Sequence, residues 1–166
     1  MLQELLLLVF LCVLSALAVG DVVDFVELGG IPGLTDLATQ QHNGALLNNT
    51  LNYGLKTGDT LVIPNATFSI MGGILVTTHL KGITFQLEGT LSYSTDRDKW
   101  PREGGADGHV LECLNFEYIE DFVFTSSGGP DNRGTMDGNG QIWWGAIQVC
   151  NVHLSLMCLI SKYGYD

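Results

Sequence analysis

The stretch GTMDGNGQIWWG, Gly134 to Gly145, packs four glycines, an aspartate, an asparagine and a Trp-Trp pair into twelve residues. Two readings compete for it. Asp137-Gly138 and Asn139-Gly140 are turn dipeptides, in which glycine accepts positive φ at little cost and Asp or Asn bonds nearby backbone amides. Met136 suits a strand position facing a core. Trp143 and Trp144 can cover a corner with large apolar faces, each needing an indole N–H partner if buried. Scaffold therefore accounts for every residue. The rival reading makes Asp137 a catalytic carboxylate.

Upstream of this stretch the texture is short strands and turns. From Gly58, β-rich runs (Leu61–Ile63, Phe68–Ile70, Ile74–Thr77, Ile83–Leu87, Thr90–Tyr93) are separated by only a few turn residues. None of the gaps is long enough for a crossover helix, which argues against a doubly wound α/β sheet. A helix is expected only earlier, around Leu37 to Leu51. There is also an internal echo. GITFQLEGTLSYS, from Gly82, and DFVFTSSGG…GTMDGNG, from Asp121, each place an apolar strand, a break, then Gly-Thr and another apolar residue. TLVIPNATFSI, from Thr60, matches the first half more loosely. Such recurrence suits a solenoid whose rungs bury side chains on their neighbours. A β-sandwich produces similar short strands, and spacing alone does not choose between the two.

Composition bounds the function. The 166 residues carry 18 acidic and 7 basic side chains, a formal charge of −11. That balance argues against nucleic acid, because no basic stripe is available to neutralise phosphates. It leaves room for an anionic carbohydrate held by a few local cations. Residues 5–18, LLLLVFLCVLSALA, are apolar apart from Ser15 and fall short of the roughly 20 residues of a membrane span. Small residues follow at signal-peptidase spacing, so residues 1–20 read as a signal peptide with Asp21 as the new terminus. Secretion, with no membrane span left after cleavage, is the expectation. Asn48-Asn49-Thr50 and Asn65-Ala66-Thr67 are acceptor triplets for N-glycosylation, which would set Asn48 and Asn65 at the surface. With Cys12 in the leader, Cys113, Cys150 and Cys158 leave an odd count and no pairing that spacing decides. No Cys-x-x-Cys and no metal-like spacing of the four histidines occurs, so neither metal nor cofactor is expected.

GTMDGNGQIWW resembles the Gly-x-Ile-Asp-Gly-x-Gly-x-x-Trp-Trp signature of polygalacturonases, the pectin-degrading glycoside hydrolases of family twenty-eight. The match lies in Gly134, Asp137, Gly138, Gly140, Trp143 and Trp144, with Met136 in the apolar slot. GDTLVIP at Gly58 and GITFQLEGTL at Gly82 are also similar, so the resemblance covers roughly residues 56 to 146. It implies an all-β, right-handed parallel β-helix and an ancestry in hydrolysis of polygalacturonate or a related pectin-like polysaccharide. It also implies that the signature marks the fold, because the family's catalytic residues lie on later coils. Those enzymes invert the anomeric centre with carboxylates spaced to admit a water. The family carries them in Asn-Thr-Asp and Asp-Asp motifs, followed by Gly-His-Gly and Arg-x-Lys. This sequence has no Asn-Thr-Asp and no Asp-Asp; Gly108-His109 is followed by valine, and Arg97-Asp98-Lys99 precedes that histidine. No catalytic residue carries over.

The remaining candidate is the charged loop STDRDKWPRE. Arg97, Lys99 and Arg102 would contact substrate carboxylates, with Trp100 stacking on a sugar; the bland reading is a solvated loop between coils. The expected organisation is a leader over 1–20, an N-terminal cap region over 21–57, β-helix coils over 58–146, and a tail over 147–166 that does not continue the coil pattern. That tail suggests a truncated or mis-spliced gene product, or a short C-terminal cap. The functional expectation is a secreted polygalacturonase-like hydrolase represented by its N-terminal part. The alternatives are a non-catalytic carbohydrate-binding module and an inactive fragment.

Overall fold

The computed structural model describes residues 20–106, 108–128 and 134–143. The expected leader, apart from Gly20, the tail over 147–166, Trp144, Cys150 and Cys158 lie outside the described residues. No helix among the described residues is long and apolar enough to cross a membrane.

The described chain is mostly strand, with one α-helix. Strand β1 (Val22–Asp24) leads to helix α1 (Leu37–Asn49), which runs into a π-helical turn over Thr50–Gly54. Then come β2 (Thr60–Ile63), β3 (Thr67–Ile70), β4 (Ile74–Val76), β5 (Leu80–Lys81), β6 (Thr84–Leu87) and β7 (Thr90–Tyr93). A two-stranded excursion follows, β8 (Arg102–Glu103) and β9 (His109–Val110). The chain then returns through β10 (Leu114–Phe116), β11 (Ile119–Glu120), β12 (Val123–Thr125) and β13 (Thr135–Asp137).

All pairings except β8–β9 are parallel. Sheet order is β1-β2-β6-β12 in one sheet and β13-β7-β3 in another, with β4-β10 and β5-β11 as two-stranded pairs. The chain therefore visits the sheets in the same order on successive passes, an arrangement that fits a β-helix. Passes are set by register: Thr60 sits beside Thr84 and Thr67 beside Thr90, offsets of 24 and 23 residues. Ile74 sits beside Leu114, an offset of 40, because β8 and β9 are inserted in the second pass.

The internal echo in the sequence is this register. Phe85 pairs with Phe124, and Thr90-Leu91 pair with Thr135-Met136, aligning the two Gly-Thr steps. Alternation of exposure along β2, β6 and β7 sends every second side chain inward. Leu61 lies on Phe85 and Ile63 on Leu87, while Phe68 lies on Leu91 and Ile70 on Tyr93. All eight are at most 2% exposed. Fully burying one such side chain contributes roughly 1.5–3 kcal/mol, so the columns dominate the stability of the fold. Phe85 and Phe124 continue one column as stacked rings, 5.1 Å apart and 13° from parallel.

Helix α1 replaces a strand at the start of the stack. Asp36 caps it by accepting from the Thr39 N–H at 2.9 Å. The Thr39 hydroxyl also donates to Asp36, and this bond, with the N–H, holds the carboxyl below its ordinary value. Gly44 is required where the helix crosses β3, since a Cβ there would lie 2.6 Å from the Met71 carbonyl oxygen. Three asparagine amides then supply bonds that a preceding strand would supply. Asn43, fully buried, donates to the carbonyls of Ile31 and Ser69 and accepts from the Ile31 N–H. Asn48 Oδ1 accepts from the Leu75 N–H at 3.2 Å. Asn52 donates to the Leu75 carbonyl at 3.0 Å and accepts from the Thr77 N–H at 3.1 Å. The edge of β4 is thus satisfied by side chains, which also closes it to further strand pairing.

Replacing Asn52 by alanine should leave both the Leu75 carbonyl and the Thr77 amide without their partner. We expect a loss of about 1–3 kcal/mol in urea denaturation, with an unchanged m-value. An unaltered midpoint would show that water replaces the amide at no cost.

Candidate functional site

The charged loop leaves the stack directly after β7. Ser94, 2% exposed, donates its N–H to the Ile70 carbonyl, and its hydroxyl accepts from the Asp96 N–H. Asp96 Oδ1 accepts from the amides of Asp98 at 3.2 Å and Lys99 at 3.1 Å, the bonding that folds a short polar turn. Arg97, Asp98 and Lys99 are exposed at its tip. Neither Arg97 nor Lys99 forms an ion pair among the described residues. Asp96 spends its carboxylate on backbone amides, leaving these two cations available to an external anion.

Trp100 has a different job from Arg97 and Lys99. It is 4% exposed, and its indole N–H donates to the Leu111 carbonyl at 2.7 Å. Its ring meets Trp143 edge-on, centroids 5.0 Å apart at 73°, and lies 6.3 Å from Tyr93. A Cβ on Gly72 would sit 2.2 Å from the Trp100 ring, so the backbone of the first pass makes room for it. The rings face protein, and the sugar-stacking expected of Trp100 would require them to leave this packing. Arg102 is half-buried on β8, where Nη1 donates to the Gly108 carbonyl at 3.3 Å. The excursion is therefore bolted at its base by Trp100 and zipped by the pairing of Arg102 with Val110 and Glu103 with His109.

The signature stretch forms the other half of the bolt. Thr135–Asp137 is β13, and Met136 packs on the core beside Leu91. Asp137 Oδ1 accepts from the Asn139 N–H at 2.9 Å. Asn139, at φ 48°, takes the left-handed conformation itself, whereas the sequence suggested glycine would do so. Asn tolerates that region better than most residues, and its side chain donates to the Tyr93 carbonyl at 2.7 Å. Gly134 lies where a Cβ would fall 2.0 Å from the Leu87 carbonyl oxygen. Gly138 and Gly140 flank Asn139 in the turn, and Trp143 closes it against Trp100. In this arrangement the signature residues join the second pass to the loop.

Glu88 organises the approach to β13. Only 9% exposed, it accepts from the Ser127 N–H and hydroxyl, both at 2.8 Å, from Gln86 at 2.6 Å and from Ser126. The Ser126 hydroxyl in turn accepts from the Gly134 N–H. The Ser127 N–H first, then its hydroxyl and the Gln86 amide, hold the Glu88 carboxyl below the ordinary glutamate value of 4.5. Sequence reasoning missed this hub, since an isolated glutamate before Gly-Thr carries no signal of its donors.

A cleft of about 280 Å³ opens between the β4–β10 pair and the β8–β9 excursion. Leu75 and Leu111 line it together with Glu103, Glu112 and Glu117. These three carboxylates are far apart in sequence, and nothing in their local pattern announces the cleft. Their charge disfavours a polyanion there.

The chain is 32% identical over 96 residues to the inferred galacturan 1,4-alpha-galacturonidase A of Aspergillus niger. It is 29% identical over 93 residues to the Exopolygalacturonase of Cochliobolus carbonum. The likeness is to polygalacturonases. The matches take in 55% and 54% of this chain but 20% and 19% of those proteins, so the chain spans about one fifth of the length of the curated relatives it matches. No family model matches the chain, and no solved structure matches it.

Two measurements probe this arrangement. Trp100→Ala should cost about 3–5 kcal/mol of stability, with Trp100→Phe recovering part of it, and should open residues 94–106 to limited proteolysis. A wild-type melt and cleavage pattern would remove Trp100 as the bolt. Because the folded Glu88 pKa is lowered, its contribution is complete above 4.5 and disappears as pH falls through the lower folded value. Glu88→Gln should therefore flatten the stability profile in the window from pH 4.5 down to that lower value; parallel profiles for the two proteins would contradict this role.

Proposed function

We propose that this chain is the N-terminal part of a secreted, polygalacturonase-like glycoside hydrolase acting on pectin or a related uronic-acid polysaccharide. The observation that carries the reading is its partial identity to two proteins named for galacturonide hydrolysis. The parallel strands and repeated sheet order support a right-handed parallel β-helix, in which residues 58–146 supply coils and 21–57 the N-terminal cap. Residues 1–20 act as a leader in this reading, and the tail over 147–166 stands apart from the coil pattern in sequence.

In the proposed division of labour these 166 residues bind and do not hydrolyse. Their sequence holds no Asn-Thr-Asp and no Asp-Asp, so no pair of residues is assigned as general acid and base. Arg97 and Lys99, exposed on a loop with a fixed base, are the contacts for uronate carboxylates, with Arg102 in a supporting place on β8. Trp100 fixes the loop and is not counted among the sugar contacts. A purely binding role is favoured by one specific feature, the two cations with no ion-pair partner among the described residues.

The purified chain should be retained on immobilised polygalacturonate and should release no reducing sugar from it. Arg97→Ala combined with Lys99→Ala should weaken retention by about 3- to 10-fold, as expected for two exposed charge contacts. Added salt should weaken the wild type further. Release of reducing sugar that one acidic substitution abolishes would overturn the non-hydrolytic assignment. Retention indifferent to both arginine and lysine would overturn the contact assignment.

A further inference from the structure

The two glycosylation triplets are alike in sequence and opposite in structure. Asn48-Asn49-Thr50 occupies the end of α1 and its C-cap, Thr50 being helical at φ −61° and ψ −49°. In a helix, side chains two residues apart do not face one another, so the Thr50 hydroxyl and the Asn48 amide point in different directions. Thr50 is 6% exposed, and Asn48 Oδ1 is already engaged by the Leu75 N–H and the Asn52 amide. Asn65-Ala66-Thr67 runs instead from an exposed bend into the first residue of β3. The Ala66 N–H donates to the Pro64 carbonyl at 2.7 Å, a tight turn that sets Asn65 at its apex. Asn65 and Thr67 are both exposed, while Ala66 between them packs on the core.

We infer that Asn65 is a glycan acceptor and that Asn48 is reserved as the edge partner of β4. This inference rests on the secretion proposed above. In the transfer step the Asn65 Nδ2 attacks the anomeric carbon of an oligosaccharide carried on a polyprenyl diphosphate. The N–C bond forms, the C–O bond to the diphosphate breaks, and one amide proton leaves to base. A sugar on Asn48 would instead crowd the amide bonds that join α1 to β4. The location also suits the function. Asn65 precedes β3, whereas the Trp100 loop packs beyond its far end at Gly72. Four residues of strand separate the two by about 13 Å, so the glycan leaves Arg97 and Lys99 clear.

The test is to express the full chain in a eukaryotic secretory host, once with its own N-terminus and once behind a host leader. Peptide mass spectrometry then reads Asn48 and Asn65 in protein from both microsomes and medium. We expect a glycan on Asn65, unmodified Asn48, and complete loss of the glycan in Asn65→Gln and in Thr67→Ala. Retention on polygalacturonate should be the same before and after enzymatic deglycosylation. A glycan on Asn48, or none on Asn65 in the leader-directed protein, would overturn the inference. Modification of Asn65 only when the host leader is present would uphold the site and refute secretion by the chain's own N-terminus.

Discussion

In-register stacking of inward side chains is the constraint on which everything else in this protein rests. Each rung exposes apolar faces that only the next rung can cover, so Leu61 needs Phe85, and Phe85 needs Phe124. Alternation in the strands is period two, and a slip of one residue would turn the whole column outward. Parallel pairing at a fixed offset follows, and with it the repeated sheet order. The inserted excursion is tolerated because it leaves and rejoins the stack at points where backbone bonds to β3 and β4 are kept. Ser94 donates to Ile70, and Gly73 donates to Glu112.

The proposed binding role depends on how rigidly that excursion is held. A loop whose cations swing freely loses entropy on binding an anionic polymer, while a loop braced at its base loses less. Here the brace is aromatic. Trp100 enters the space left by Gly72, meets Trp143 from the signature turn, and satisfies its indole N–H on Leu111. In the proposed binding role the signature acts at one remove, by bracing the loop that carries Arg97 and Lys99.

Much of this architecture was legible in the sequence because it is periodic or local. The Gly-Thr echo aligned Leu91 with Met136, the five β-rich runs fall on β2, β3, β4, β6 and β7, and the helix ends within two residues of its expected limit. The Asp137–Asn139 turn was also readable, although the left-handed residue is the asparagine. The misreadings share one physical cause, which is dependence on a partner far along the chain. Trp100 reads as an exposed sugar platform until Gly72 and Trp143 are seen around it. Asn48 reads as a surface asparagine until β4 is found beneath it, and the acidic cleft needs Glu103, Glu112 and Glu117 brought together by topology. Arg97 and Lys99, whose expected exposure needed only a polar turn, lie exposed as the sequence indicated.

The claim that most of this depends on is that the signature turn and the charged loop form one mechanical unit. A double-mutant cycle in urea, using Trp100→Leu, Trp143→Leu and the combined variant, measures it directly. The account predicts a coupling energy of about 0.5–1.5 kcal/mol, the range for a specific aromatic pair. Effects that add to within about 0.3 kcal/mol would mean that the two tryptophans stabilise the protein independently, and the loop would then have no brace in the signature.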